Sequence, residues 1–574
     1  MRAALGQEKA DLVLRNGTLV DVYTGELLPG FSVVVKGERI AYVGPEPTLH
    51  PESPVLDCQG KYLVPGLIDG HGHMLYYVTP QEFLRAAIPG GTTTIITETM
   101  ELAFPLGLRG VIQGLRACRD QPIKILVTLP SMVSISPISE VHALGPQEAR
   151  RLLREEGVIG LGEVYWQGLL DGNPRLLGLV EEALKAGKVV EGHGAGARGP
   201  KLGAYLSAGI HSDHEPITAE EVLERMRLGV HVLVRQGGIR RELEAVAKIL
   251  ELPLDTRYLA LASDGVDLKE LLTDGCLDAL ARQAIKYGFT PVQAIQMLTL
   301  NVAEHFRLDQ HIGGLAPGRY ADILVVPDLA EMRPEYVFSN GKMVAREGKP
   351  LVTPRPHPFP RSFRRSIRLT QPVRPEDFLV RAPRADGQVG VRVIKWATPL
   401  VTREAQLTLP VQGGLVPADP QRDVLKVAAI ERVYEPGKSF VGFVQGMGIK
   451  EGALASSASW DCTSLVVVGA QEEDMAQAIN RVAELGGGAV LWARGRVQAE
   501  LPLPYGGIIS DLPLEEVVAR LEAINGKMQE MGCPFPDALL SLVTLTTAAI
   551  PFLRLNEEGL VSLRDNQKLG LFVE

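Results

Sequence analysis

Apolar and polar positions along this chain change their period twice. Residues 1–65 hold short β-branched runs, Leu12-Val13-Leu14, Leu19-Val20, Val33-Val34-Val35 and Ile40-Ala41-Tyr42-Val43. Asn16-Gly17 and Gly37-Glu38 supply two-residue turns between neighbours. A matching set, Ile323-Leu324-Val325-Val326, Tyr336-Val337-Phe338 and Met343-Val344-Ala345, returns far downstream. Two such flanks around a section of different character predict one small composite β-sandwich domain, residues 1–65 with 311–350.

The section between them, residues 66–310, alternates apolar strands with amphipathic helices. Strands are expected at 66–69, 92–97, 123–128, 159–164, 188–192, 210–213, 231–234 and 258–263. Thr79-Pro80-Gln81-Glu82 and Thr290-Pro291-Val292-Gln293 each combine a hydroxyl N-cap, proline at the first helical position and an acceptor three residues after the cap. Thr218-Ala219-Glu220-Glu221 supplies the same box without the proline. Eight strands alternating with helices is the pattern of an α/β fold of the (β/α)8 TIM-barrel type. After Lys349 a Pro/Arg-rich stretch reads as a linker. Residues 373–574 read as a C-terminal α/β domain, in which Leu465-Val466-Val467-Val468-Gly469, a helix over 472–485 and a strand over 489–492 form a strand–helix–strand module.

Composition narrows the partners. A chain of 574 residues exceeds a single core. The net charge of −9 without a basic stripe excludes nucleic acid and anionic membrane as main partners. No apolar run approaches the roughly 18 residues that span a bilayer, and the N-terminus turns charged too early for a secretory signal. Five cysteines, Cys58, Cys118, Cys276, Cys462 and Cys533, form no C-x-x-C pair, as expected of reduced thiols in the cytoplasm. A small-molecule substrate and a homodimer are expected.

All eleven histidines lie between His50 and His357. In Pro65-Gly66-Leu67-Ile68-Asp69-Gly70-His71-Gly72-His73, a strand runs into His-x-His, which puts two imidazoles on one side of an extended chain. Converging neutral imidazoles are a metal site by default. Further ligand types stand at the ends of the other expected strands: Glu163, His193, His214 and Asp264. Barrels of this type keep their chemistry at those ends.

With these residues in view, the chain resembles the amidohydrolase superfamily. Closer in, Gly160-Leu161-Gly162-Glu163-Val164, Glu191-Gly192-His193, Ser212-Asp213-His214-Glu215 and, far downstream, Ala455-Ser456-Ser457 and Leu501-Pro502-Leu503-Pro504 resemble the bacterial adenine deaminases. The resemblance implies two divalent metal ions, Mn, Fe or Zn. His71, His73 and Asp264 would hold one ion and His193 and His214 the other, with Glu163 bridging. It implies a metal-activated hydroxide that converts adenine and water to hypoxanthine and ammonia. Asp264 would carry the proton from the attacking water to the leaving nitrogen, and Glu101 would be a second proton carrier.

Where the family has histidines, this chain has Met100, Val433, Trp460 and Thr463. Met100 and Trp460 are expected to line the substrate pocket, and Arg235 to anchor a substrate carbonyl or carboxylate. Those departures leave a lactam, a cyclic imide or another aminated heterocycle as alternative substrates of the same binuclear site. A non-catalytic ligand-binding paralogue is the alternative from another class.

Overall fold

The capped helices and apolar runs between residues 66 and 310 fold into eight parallel strands in a computed structural model that describes residues 1–573. These are β1 (Leu67–Gly72), β2 (Thr92–Glu98), β3 (Lys124–Pro130), β4 (Val158–Tyr165), β5 (Val189–His193), β6 (Ser212–Asp213), β7 (His231–Arg235) and β8 (Leu259–Ala262). β1 to β5 pair in sequence as one parallel sheet and β6 to β8 as another. Bonds from His211 N to Val190 O (2.9 Å) and from Asp264 N to His71 O (3.0 Å) close the two seams. Ile68, Ile96, Val189, Leu233 and Ala260, from five different strands, meet in one buried cluster with Val302 and Phe306. Strands on opposite sides can touch only through the barrel's interior, so this cluster is its packed core.

The two flanks join in a single sheet, and Asn16-Gly17 lies inside the strand Leu12–Asp21, where the pairing register shifts, instead of in a turn between strands. Tyr62–Pro65 runs antiparallel to Ile323–Val326, and nine strands from the two ends of the barrel segment make one hydrogen-bonded sheet. Leu14, Leu19, Val33, Ile323 and Phe338 give it a core of its own.

The C-terminal region carries a second nine-stranded sheet. Its expected module is present as Ser464–Gly469, helix Glu472–Glu484 and Gly488–Ala493, with Gly486 left-handed (φ 74°) where the helix stops. The two strands are not neighbours, however. The fully buried Ala453–Ser456 inserts between them, antiparallel to both. This region is hydrogen-bonded onto the barrel: Tyr76 Oη donates to Ala458 O (2.5 Å), Ser136 Oγ to Glu557 Oε1 (2.7 Å) and Arg85 to Glu515 (2.7 Å). Among the described residues no helix is long and apolar enough to cross a membrane.

Candidate functional site

Two irregularities in the strand pairing aim the site's side chains. Between β1 and β2 the register slips by one residue after Asp69, and between β4 and β5 it slips after Leu161. Each slip is a bulge, a device that re-aims side chains at a strand end. In β4 it leaves Glu163 with φ 33°, and Asp264, just past β8, has φ 52°. Non-glycine residues are uncommon at such angles, and the strain tends to collect at functional sites. Gly162 makes room for the arrangement, since a Cβ there would meet Glu98 Oε1 at 1.7 Å. Asp69 fastens β1 to β8 by accepting from Ser263 Oγ (2.6 Å) and Ser263 N (3.1 Å).

At the strand ends the donor atoms fall into two groups, each within 4.8 Å: His71, His73, Glu163 and Asp264, and Glu163, His193 and His214. Glu163 belongs to both. Its Oε1 lies 3.0 Å from His71 Nε2, 3.3 Å from His73 Nε2 and 3.5 Å from His214 Nε2. Asp264 Oδ1 stands 3.4 Å and 3.6 Å from the nitrogens of His71 and His73. Donors bound to one cation at about 2.0–2.2 Å stand roughly 3–3.6 Å from each other, so the spacing fits a cation among them. His214 adds a second indication: its buried Nε2 has no hydrogen-bond partner among the described residues. Burial and the neighbouring His71 hold its imidazole well below the usual histidine range, in the neutral state a metal requires.

The rest of the cluster is balanced by charge. Burial alone would depress His71, but hydrogen bonds to Asp264 and Glu163 outweigh it and hold the imidazole up at about 10. Burial pushes Glu163 and Asp264 upward, and the same histidines draw both carboxyls well below their ordinary range.

Glu101 is buried at the start of helix Met100–Cys118, with Oε1 3.1 Å from His73 Nδ1. Its Oε2 is buried without a partner. Met100 and Trp460 both line a cavity of about 810 Å³ above the cluster, together with Tyr76, Phe104 and Tyr165. Trp460 Nε1 donates to Tyr76 Oη (2.6 Å), so the C-terminal region forms part of that wall. Val433 and Thr463 are not among the lining residues. The Val433 N–H (2.6 Å) and the Thr463 hydroxyl both bond to the Glu431 carboxylate, so the four positions where the family has histidines do not share one site.

Arg235 corrects the sequence reading. Its Nη1 donates to Asp264 Oδ2 (3.1 Å) and to Glu215, and its Nε and Nη2 donate to Glu242 at 3.2 Å. Four of its five N–H groups are thus spent on carboxylates. It is an interior ion pair that holds Asp264, and not a free anchor for substrate.

Glu215, with Oε1 3.2 Å from His193 Nε2, is a site neighbour that strand alternation does not single out. β6 is only two residues long, so the period of two lapses before Glu215 is reached. Tyr165 and Asp461 also face the cavity; nothing local marks Asp461, which lies far along the chain.

Arg225 positions both second-group histidines from behind. Fully buried, it donates from Nε to Asp213 Oδ2 (2.8 Å), beside His214, and from Nη2 to Gly194 O (3.2 Å), beside His193. Arg225→Met leaves Asp213 as an unpaired buried charge. We expect a destabilisation of about 3–5 kcal/mol and reduced metal occupancy, measured by thermal melting and elemental analysis. Wild-type metal content in a destabilised variant would show that Arg225 supports only the fold.

Residues 62–344 match the amidohydrolase family and residues 399–567 the adenine deaminase C-terminal domain. A protein of Moorella thermoacetica named adenine deaminase is 40% identical over 97% of this chain and 95% of its own length. One of Mesorhizobium japonicum with the same name is 37% identical over 99% and 96%, and one of Desulforamulus reducens 35% identical over 100% and 98%.

Proposed function

Because the chain belongs to the adenine deaminase family of the amidohydrolases, we propose that it hydrolyses adenine to hypoxanthine and ammonia. The observation that carries this reading is Glu163, shared by two groups of metal-type donors at the mouth of the barrel. His71, His73 and Asp264 would hold one divalent ion, His193 and His214 the other, and Glu163 would bridge. Mn, Fe and Zn all suit such imidazole and carboxylate donors. The ions, when bound, would supply Lewis acidity that lowers the pKa of water toward neutrality.

The chain's own groups do the rest. Asp264 turns Oδ1 to the histidines and has Oδ2 fixed by Arg235. From there it takes the proton of the attacking water and returns it to the departing exocyclic nitrogen. Glu101 keeps His73 oriented through Nδ1, as carboxylates behind metal-bound histidines do. Glu101 itself lines the cavity, a position that suits a second proton carrier. Met100 and Trp460 offer apolar surface to the flat faces of the base. The proposal extends to a cytoplasmic homodimer: all five cysteines are free and buried, and Leu177 and Leu184 are exposed seven residues apart on helix Pro174–Lys185.

Metal-replete protein is expected to release ammonia and hypoxanthine from adenine with kcat/KM on the order of 10⁴ M⁻¹s⁻¹ or more, followed by coupled ammonia detection and ultraviolet absorbance. Turnover of lactams or cyclic imides with none of adenine would sink the substrate assignment and keep the metal chemistry.

A further inference from the structure

Asp461 comes from the C-terminal region, yet it reaches the metal-type cluster through one hydroxyl. Tyr165 Oη lies 3.3 Å from Glu163 Oε2 and 3.4 Å from Asp461 Oδ2. Asp461 Oδ2 is further held by the Thr547 hydroxyl and by the Ala548 N–H (3.2 Å). Its other oxygen has no hydrogen-bond partner among the described residues, and the residue lines the cavity. The backbone makes the same point. Asp461 has φ 56°, as Glu163 has 33° and Asp264 has 52°. Three acidic residues bordering one cavity thus share a conformation that non-glycine residues rarely adopt and that functional sites retain.

Tyr165 stands between Glu163 and Asp461, so a purine with C6 at Glu163 and Asp264 and its imidazole ring over Tyr165 would bring that ring to Asp461. That ring bears one N–H, a donor without a partner unless the wall supplies an acceptor. Trp460, the neighbour of Asp461, is fixed by its bond to Tyr76, and Ser134 Oγ holds the Asp461 carbonyl at 2.5 Å. The segment that carries the carboxylate is therefore held to the barrel.

We propose that Asp461 Oδ1 accepts the imidazole-ring N–H of the bound purine, so that the C-terminal region supplies the specificity-determining acceptor of the pocket. This rests on the adenine reading above. It explains what a second, distant sheet does at the mouth of a barrel that already holds every metal-type ligand.

The test is Asp461→Asn in metal-loaded full-length protein. The amide oxygen can keep the Thr547 and Ala548 bonds, while the NH₂ presents a donor where an acceptor is needed. With adenine, kcat/KM should fall by about 10- to 100-fold, mostly through KM, the range for mispairing a buried polar group. With 9-methyladenine, which has no ring N–H, the same substitution should change kcat/KM by less than threefold. Metal content should match wild type. An equal loss on both substrates, or a loss of metal, would overturn the proposal by making Asp461 a scaffold for Tyr165 and Glu163. Hypoxanthine affinity by calorimetry answers the question separately from turnover. If wild type leaves adenine untouched, the proposed function fails, and unchanged hypoxanthine binding in the variant would then remove the Asp461 contact as well.

Discussion

Asp264→Asn is expected to lower kcat for adenine by about 10³-fold, within the range for losing a positioned proton carrier, while the Glu163–His193–His214 group keeps its metal. The carboxylate sits between two tasks. Oδ1 faces the paired nitrogens of His71 and His73, and Oδ2 is clamped by Arg235 at 3.1 Å. An amide of the same shape still accepts the Arg235 N–H through its oxygen. The nitrogen it then turns toward the histidines can take no proton from water. Fold and cavity should therefore survive, and thermal melting with elemental analysis would establish that. Turnover within threefold of wild type would remove Asp264 from proton transfer. A loss of turnover matched by loss of all metal would make it a ligand alone.

Glu163→Gln should act on metal before chemistry. Its Oε1 lies within 3.5 Å of nitrogens from both donor groups, so one substitution weakens both at once. Two cations set close together need shared negative charge between them. A neutral amide removes it, and bound metal should fall from about two ions per chain to below one, with turnover down by about 10³-fold or more. The metal-free fold loses the partner of His71 and His73 too, at a cost of about 3–5 kcal/mol for a broken buried pair. Glu163→Asp, which keeps the charge and retracts it, separates the effects: it should recover stability before activity. Loss of a single ion with the other fully retained would contradict a bridging role.

The residues of the site differ, for physical reasons, in how far the sequence alone marks them. Most of the barrel strands can be read because they are short apolar runs bounded by caps and glycines, and such runs obey local rules. His71 and His73 are legible as a pair because one extended segment carries both. Their geometry with Glu163 also depends on two bulges, which pairing between strands creates and which no single strand encodes. Glu101 looks like an ordinary residue of a helix's first turn; only packing buries it against His73. Of the remaining histidines, His305 pairs with buried Glu191 at 2.8 Å below the site and His142 stacks on Tyr434, structural roles that composition does not separate from ligation.

Periodicity, capping and residue chemistry are local properties, so they specify the barrel and the identity of the metal-type side chains before any packing is known. Tertiary structure alone decided which of them converge. It made Arg235, expected to anchor a substrate carbonyl or carboxylate, the clamp of Asp264, because the carboxylates of Glu215, Glu242 and Asp264 close on it. It divided the four positions that lack the family's histidines, setting Met100 and Trp460 in the cavity wall and Val433 and Thr463 around Glu431. It brought Asp461 within one hydroxyl of Glu163 although 298 positions separate them in the chain. Contacts of that kind depend on how whole sheets pack, and no local pattern of residues records it.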